Sequence, residues 1–208
     1  MGNQQENKIE SRKLESKPKK MNGIDGKEIK NLPPNDKNFM IEALKSNNEK
    51  RNLYKAKPLE KDDDLNKRAR ILAKQYSLIR EFDNEYLLNK NYEDLGINLK
   101  ISDIELDAKQ LMEEWYKEKS DFDFNDPEKS EGNNFTQMIW KSSAYFGIGY
   151  FHNEKGNQST DNNPEKNIEE YVYIALYYPA GNVPGEFKSN VPKQNDDTAS
   201  DYDQKINN

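Results

Sequence analysis

The sequence predicts an α+β domain between about residues 38 and 192, with polar segments on both sides. Apolar residues recur at helical spacing in the first part of this region, and two aromatic runs near its end are typical of strands. A polar stretch separates these two runs. Helices that come first and strands that come last are expected to pack as helices on a small antiparallel sheet.

The segments outside the domain are poor in apolar residues. Residues 1–37 form a polar leader rich in Lys, Glu, Asn and Gly, and residues 193–208 form an acidic tail. Such sequences bury too little apolar surface to offset chain entropy, so we expect both segments to be disordered. The low apolar share, 33% of 208 residues, is expected to be concentrated there.

Two helices open the domain. The first follows the capping candidate Asp36, continues to about Tyr54 and ends before Pro58. The second is capped by the acidic run 62–64. Its apolar positions recur at helical spacing, at Leu65, Ala69, Leu72, Ala73 and Tyr76.

The middle of the domain contains a third helix and two shorter segments. Residues 96–101 are interpreted as a loop that enters a short extended segment. The third helix takes Ser102 or Asp103 as its cap. Its apolar positions are Ile104, Ala108, Leu111, Met112 and Trp115. The stretch from Phe135 to Trp140 fits a helix and a strand equally well.

Two strands close the domain. Residues 145–152 are aromatic and contain glycine, and residues 171–178 give a strong strand pattern that Pro179 ends. The polar stretch between them predicts a long exposed hairpin loop. His152, at the end of the first strand, is expected to be exposed.

Composition excludes several kinds of site. The chain has no cysteine, which excludes disulfides, thiolate catalysis, iron–sulfur clusters and thiolate zinc sites. His152 is the single histidine, so a site with several imidazoles is not expected. The net charge of -6 gives no reason to expect nucleic acid as a partner. No carboxylate pair is placed for acid–base work, so no catalytic residue is assigned.

We expect a cytoplasmic protein. The N-terminus lacks the apolar region of a secretory signal. The sequence also contains no stretch of 18 apolar residues, the length that a membrane-spanning helix needs. Gly2 meets one requirement for N-myristoylation, but Glu6 stands where Ser or Thr is usual. One acyl chain binds membranes only marginally, with a constant of about 10⁴ M⁻¹, and lysines at 17, 19 and 20 add weak basic support. Peripheral membrane association through Gly2 and an unmodified leader are both retained as alternatives.

Two segments resemble the signature motifs of a known superfamily. The first runs from 134 to 143 and is followed by Gly-Ile-Gly at 147–149, and the second runs from 173 to 183. Together they are similar to the CAP superfamily, or SCP domain, which comprises cysteine-rich secretory proteins, antigen 5 and pathogenesis-related protein 1. The main motif residues are Phe135, Thr136, Gln137, Trp140, Tyr178, Pro179, Gly181 and Asn182. The similarity covers about residues 38–192 and is closest to the cytosolic, Golgi-associated type.

The resemblance implies a three-layer α/β/α sandwich and a binding role. Members are linked to binding of sterols, fatty acids and phospholipids and to self-association, so it implies a lipid or protein ligand and a homodimer as candidate partners. Most of the family is secreted, which is the alternative to a cytoplasmic location. A protease-like hydrolysis has been suggested for some relatives.

The polar cleft of the family is altered in this chain. The family usually has two histidines and two glutamates there, a set that suits zinc. Asn134 stands in place of one histidine, Ile97 in place of one glutamate, and no histidine falls near residues 85–86, where the other belongs. Only Glu118 matches. The remnant cleft of Glu118, Asn134 and Ile97 has too few ligands for a metal ion. Three roles are retained for Glu118: a solvated helix residue, an acceptor of hydrogen bonds from Asn134 and nearby backbone, or a functional group.

The other motif residues are expected to serve the fold. The predicted core members are Phe135, Met138, Trp140, Tyr173, Tyr177 and Pro179. Gly181 is expected to supply a positive-φ turn after the last strand, and Asn182 to hold that turn.

Three functions are compatible with the sequence. The first is a non-enzymatic binding module for a lipid or protein partner, with no cofactor and with the family metal site lost. The second is a membrane-associated scaffold that acts through its tails. The third is a protease-like hydrolase, for which the groups that would activate water are absent.

Overall fold

Helices and strands alternate along most of the domain in this computed structural model, which describes residues 36–79, 92, 94–153 and 169–194. The helices are α1 (Lys37–Leu53), α2 (Asp63–Ile79), α3 (Ala108–Lys117), α4 (Asn134–Ile139) and α5 (Phe187–Asn190). The strands are β1 (Glu60–Lys61), β2 (Gly96–Ser102), β3 (Tyr145–Asn153) and β4 (Glu170–Tyr178). A 3-10 turn, Glu118–Asp121, follows α3. The leader, most of the acidic tail and the predicted hairpin loop lie outside the described residues.

Four strands form one sheet in the order β1-β3-β4-β2. β4 pairs antiparallel with both β3 and β2, as the sequence predicts for paired strands. β1 pairs parallel to β3, so the sheet is mixed rather than purely antiparallel. β1 was not predicted from the sequence, because two residues are too few to show any periodicity.

The central strand β4 separates two hydrophobic clusters. Tyr173, Ala175 and Tyr177 belong to the cluster that contains residues of α1, α3 and α4. Val172 and Leu176 belong to the cluster that contains the apolar face of α2. Successive side chains of a strand point to opposite faces, so helices cover both sides of the sheet. This arrangement confirms the three-layer α/β/α sandwich.

Side-chain caps define the starts of the long helices. The carboxylate of Asp36 accepts a hydrogen bond from the backbone N–H of Asn38 at 2.8 Å. Asp62 accepts from the backbone N–H of Leu65 at 2.9 Å at the start of α2. Both caps agree with the sequence analysis, because short polar side chains satisfy the free N–H groups of a first helical turn.

The third helix begins later than predicted. β2 extends to Ser102, and α3 begins at Ala108 with Asp107 and Gln110 forming a reciprocal capping box. Ile104 lies outside the helix and is 62% exposed. Ser102 and Asp103 are therefore not the cap, because the Asp107 capping box satisfies the first helical N–H groups.

The two glycines of β3 allow α2 to pack closely on the sheet. A Cβ atom at Gly147 would lie 2.3 Å from the Cβ of Leu65, and one at Gly149 would lie 2.5 Å from the backbone N of Arg70. These distances are too short for non-bonded atoms. The Gly-Ile-Gly segment therefore serves helix–sheet packing.

The predicted core residues are mostly confirmed. Phe135, Met138, Trp140, Tyr173 and Tyr177 are fully buried. Pro179, the residue after β4, is only partly buried. Burial of a large apolar side chain contributes about 1.5–3 kcal/mol. These residues join the sheet to α1, α3 and α4.

Candidate functional site

Glu118 and Asn134 lie together at the junction of α3 and α4. The side-chain Nδ2 of Asn134 donates to Oε1 of Glu118 at 2.6 Å. The backbone N–H of Asn134 donates to Oε2 at 2.7 Å. Both carboxylate oxygens therefore accept a hydrogen bond from one residue, and both residues are partly buried.

The position of Glu118 follows from the ends of two helices. Glu118 is the C-cap that follows α3, and Asn134 is the first residue of α4. The first N–H groups of a helix have no partner within that helix. Asn133 caps α4, and its Nδ2 also donates to the backbone oxygen of Glu118 at 2.9 Å. Glu118 thus connects the two helices, with its carboxylate at the positive end of α4.

Ile97 lies apart from this pair. Its neighbour Asn98 is fully buried and donates from Nδ2 to the backbone oxygen of Asn134 at 3.0 Å. Ile97 packs against the cluster on the α2 side of the sheet. Adjacent strand residues point to opposite faces, so the structure joins Asn98, and not Ile97, to Glu118 and Asn134. The prediction that Ile97 lies in the remnant cleft was therefore wrong, and Asn98 is the β2 residue beside Glu118 and Asn134.

The two signature segments form a hydrogen-bonded clasp. The hydroxyl of Thr136 in α4 donates to Oδ1 of Asn182 at 2.6 Å. Nδ2 of Asn182 donates to the backbone oxygen of Asn133 at 3.0 Å. The clasp therefore ties the start of α4 to the segment after β4.

Gln137 and Ser143 extend this clasp. Oε1 of Gln137 accepts from the backbone N–H of Gly181 at 2.8 Å, and its Nε2 donates to Oγ of Ser143 at 3.2 Å. Ser143 donates to the backbone oxygen of Pro179 at 2.8 Å. Gln137 and Ser143 are buried, so these hydrogen bonds satisfy groups that would otherwise be costly to bury.

The positive-φ residue of this turn is Asn182, with φ of 56°, and not Gly181. The prediction for Gly181 was wrong, although a glycine is still required there. A Cβ atom on Gly181 would lie 2.7 Å from both Nε2 of Gln137 and Cγ of Trp140. The close approach of α4 explains this glycine. Asn tolerates the left-handed conformation better than most residues, and its side chain holds the turn.

His152 lies toward the far end of β3 from the clasp. Its ring stacks on Tyr171, with centroids 4.2 Å apart and planes 2° from parallel. Its side chain is 30% exposed and its Nε2 lies 3.9 Å from the carboxylate of Glu169. β3 places it seven residues beyond Tyr145, which pairs with Tyr178 beside the clasp. The structure therefore does not bring the single imidazole to Glu118.

The donor set around Glu118 does not fit a family-type zinc site. Zinc takes thiolate, imidazole or carboxylate ligands, usually four in number. Here one carboxylate meets N–H groups that point toward it. Among the residues that the structure describes, no group of three or more His, Asp or Glu could hold a metal ion.

Sequence reasoning missed a cavity on another side of the domain. It has a volume of about 620 Å³ and lies between the start of α1, the β2–α3 loop and β3. Phe39, Leu106 and Tyr150 contribute its apolar lining. Their aromatic and apolar character was visible in the sequence, but their proximity depends on contacts between distant segments.

Gly2 lies outside the described residues. Within the described ranges, no helix has the length and apolar character needed to cross a bilayer.

Comparison with known proteins agrees with this architecture. The pattern of the cysteine-rich secretory protein family, CAP, matches residues 44–178. The Golgi-associated plant pathogenesis-related protein 1 of Homo sapiens is 27% identical over 158 residues, which cover 74% of this chain and 93% of that protein. The cysteine-rich secretory protein 3 of Homo sapiens is 30% identical over 90 residues, or 42% of this chain and 33% of that protein.

Solved structures support the fold. Venom allergen-like protein 4 of Schistosoma mansoni superposes with a TM-score of 0.50 at 18% identity and covers 72% of this chain and 96% of its own. Na-ASP-1 superposes with a TM-score of 0.54 at 13% identity and covers 86% of this chain and 47% of its own. The family pattern spans more than half of the chain, and the sandwich and the clasp connect the segments that carry it. The chain therefore belongs to the cysteine-rich secretory protein (CAP) family.

Proposed function

We propose that this chain is a non-enzymatic binding module for a lipid or protein partner, and that it has lost the family-type metal site. One observation carries the proposal. Both oxygens of the Glu118 carboxylate accept hydrogen bonds from Asn134. The asparagine therefore lies where a cation would have to lie in order to bind this carboxylate. The carboxylate is satisfied without a metal ion.

The same hydrogen bonds argue against hydrolysis at this position. A general base needs a lone pair directed at a water molecule or a substrate proton. The Glu118 oxygens instead face the donors of Asn134, and the imidazole of His152 lies toward the far end of β3. Among the residues that the structure describes, no imidazole lies beside Glu118 to activate water with it. The hydrolase alternative therefore has less support than binding.

The intact scaffold supports a binding role. Three hydrogen bonds with side-chain partners join α4 and its cap to the segment after β4, and the Glu118 carboxylate accepts from Asn134. We propose a cytoplasmic location at the periphery of a membrane, since one relative is named as Golgi-associated. The lipid version of the proposal, the homodimer and acylation of Gly2 all belong to this hypothesis.

Metal content tests the loss of the zinc site. Purified full-length chain should contain less than about 0.1 zinc per chain after incubation with excess Zn²⁺ and gel filtration. The variant Glu118→Ala should match it, because the carboxylate does not hold metal. Stoichiometric zinc in the original chain that disappears in Glu118→Ala would overturn the loss of the site.

Vesicle flotation tests the lipid version. The full chain should be retained on vesicles of at least one composition among phosphatidylcholine alone, with anionic phospholipid, and with sterol. Absence of retention on all of them removes a lipid partner. Sedimentation equilibrium of the same material tests the homodimer, and a peptidase and esterase screen that shows turnover lost in Glu118→Ala would contradict the non-enzymatic role.

A further inference from the structure

The cavity between α1, α3 and β3 has aromatic walls. The rings of Phe39 and Tyr150 meet edge to face, with centroids 5.1 Å apart. Tyr173 lies behind both rings, 6.0 Å from Phe39 and 5.6 Å from Tyr150. A volume of about 620 Å³ is in the range of ligand sites and exceeds the space that one ammonium group needs.

Carboxylates dominate the polar rim of this cavity. Four of them, Asp36, Glu42, Glu105 and Asp107, face a single lysine, Lys109. Asp36 and Asp107 also cap α1 and α3, which accounts for their presence. Glu42 and Glu105 have no capping role. Helix capping alone therefore does not explain the charge of the rim.

Ion pairs do not neutralise the carboxylates of this rim within the described part of the chain. Elsewhere in that part of the chain, ion pairs join Lys50–Glu113, Lys61–Asp63, Arg68–Asp64, Lys100–Glu114 and Lys129–Asp126. Within the same described residues, none of the four rim carboxylates forms an ion pair. The negative potential of the cavity is thus left for a cation from outside the domain.

The negative potential of the rim also acts on Tyr150 in the aromatic wall. Burial raises the pKa of the Tyr150 hydroxyl, and the charges of Glu105 and Asp36 raise it further. Rings in this setting attract cations through their faces, and carboxylates form charge-assisted hydrogen bonds with the same groups. The two features therefore favour one kind of ligand.

We propose that this cavity binds lysine or arginine side chains of a basic peptide segment on a protein partner. The apolar stem of such a side chain lies against Phe39 and Tyr150, while its charged end meets Glu42 and Glu105. Carboxylates from α1 and from the β2–α3 loop allow more than one cationic side chain to bind. The inference rests on the proposed binding role, for which it names a partner class, but not on the Glu118 position.

Peptide titration tests the proposal on the full chain. The probe is a lysine-rich octapeptide with a fluorescent label, at about 50 mM salt, and its control is the same peptide with every lysine acetylated. The variant Glu42→Gln with Glu105→Gln should weaken binding about fivefold or more, since each exposed charge contact contributes modestly. The matched control Glu49→Gln with Glu60→Gln removes the same charge from exposed positions outside the cavity.

A second pair of variants separates the ring from the charges. Tyr150→Leu should weaken binding while Tyr150→Phe leaves it unchanged, because the aromatic ring and not its hydroxyl contacts the bound side chain. Circular dichroism of each variant establishes that it is folded. If Tyr150→Leu does not fold, the Glu42 and Glu105 comparison still decides the proposal, since both side chains lie at the rim.

The outcomes are distinct. Loss in the cavity double variant alone supports the site. Equal loss in both double variants, equal binding of the acetylated peptide, or no binding at all overturns it. Preferential binding to choline-containing vesicles, lost in the cavity double variant, would also overturn the peptide assignment, in favour of a lipid headgroup. None of these results depends on the zinc content of the chain. The loss of the metal site and the peptide site are therefore tested independently.

Discussion

Nη1 of Arg51 donates a hydrogen bond to the backbone oxygen of Trp140 at 2.8 Å inside the core. The same guanidinium donates to the backbone oxygens of Met138 at 3.0 Å, Ser143 at 3.0 Å and Lys57 at 2.8 Å. Burial lowers the pKa of Arg51 to about 10. Backbone carbonyls therefore hold a buried charge and fix the chain on both sides of the turn after α4.

Substitution of Arg51 tests this role. Arg51→Met should lower the free energy of unfolding by about 3 kcal/mol or more, since it leaves buried carbonyls without donors. Arg51→Lys should also destabilise by a large part of this amount, because an ammonium group cannot reproduce the planar fork. Urea unfolding followed by circular dichroism measures both. Lys67→Met, at an exposed position of α2, is the control and should change stability little. A mild effect of Arg51→Lys would mean that the planar guanidinium is not required.

The clasp between Thr136 and Asn182 should show energetic coupling. Thr136→Val and Asn182→Gly each remove part of the bond network and should each cost about 1–3 kcal/mol. The double variant should cost less than the sum by about 0.5 kcal/mol or more, as expected for residues in contact.

A distant hydrogen bond provides the control for this cycle. Asn48 accepts from the backbone N–H of Leu59 at 2.7 Å, away from the clasp. Thr136→Val combined with Asn48→Ala should be additive within about 0.5 kcal/mol. Additive behaviour in both cycles would mean that the Thr136–Asn182 contact contributes nothing of its own.

Two buried asparagines should respond in opposite ways to an apolar replacement. Asn47 is fully buried, and within the described part of the chain neither of its side-chain polar atoms has a hydrogen-bond partner. Asn47→Leu should therefore raise the free energy of unfolding by about 1–3 kcal/mol. Asn98→Leu should lower it, because it removes the donor to the backbone oxygen of Asn134. Thermal unfolding ranks the two; equal destabilisation would indicate that Asn47 has a partner of its own.

Stability should fall at alkaline pH because of two core tyrosines. Burial raises the pKa of Tyr173 to about 12 and that of Tyr177 well above its usual range. Unfolded tyrosine titrates near pH 10, so above that pH the unfolded state releases protons that the folded state keeps. The contribution of these two tyrosines to the free energy of unfolding is intact below pH 10 and is lost as pH rises above 10. For Tyr173 the loss approaches about 2–3 kcal/mol by pH 12.

Arg51 acts in the opposite direction in this range. Its pKa is lowered, so above pH 10 the unfolded state holds more protons at this group and stability gains with pH. The gain in stability from one arginine is smaller than the loss from two tyrosines, so stability falls as pH rises above 10. Urea unfolding at pH 8, 10 and 11 should show a smaller pH dependence for Tyr177→Phe than for the original chain. Identical slopes would rule out Tyr177 as a contributor.

Local patterns predicted much of the fold. Asp36 and Asp62 cap α1 and α2 as expected, because N-capping involves residues two or three apart in the chain. The strand β4 ends at Tyr178, next to Pro179, as its pattern indicates. The start of α3 was misplaced because Ser102 and Asp107 are both acceptable caps. The Asp107–Gln110 capping box and the length of β2 decide between them.

The candidate site was only partly predictable. The resemblance placed Glu118 near Asn134, and hydrogen bonds join them. It placed Ile97 beside them, whereas Asn98 is the strand residue that makes contact. A shift of one residue reverses the face of a strand, and the sequence of β2 does not define its phase, since both faces of the strand are covered.

The sequence by itself determined the caps of α1 and α2, the strands β3 and β4, the absence of thiol chemistry and the scarcity of imidazole, because each depends on composition or on near neighbours in the chain. Only the tertiary structure decided which face Ile97 occupies and which carbonyls Arg51 meets. It also decided that Phe39, Glu105 and Tyr150 surround one cavity. These relationships join residues far apart along the chain, such as Arg51 and Trp140 at a separation of 89. Such contacts depend on how the layers pack, which no local pattern specifies.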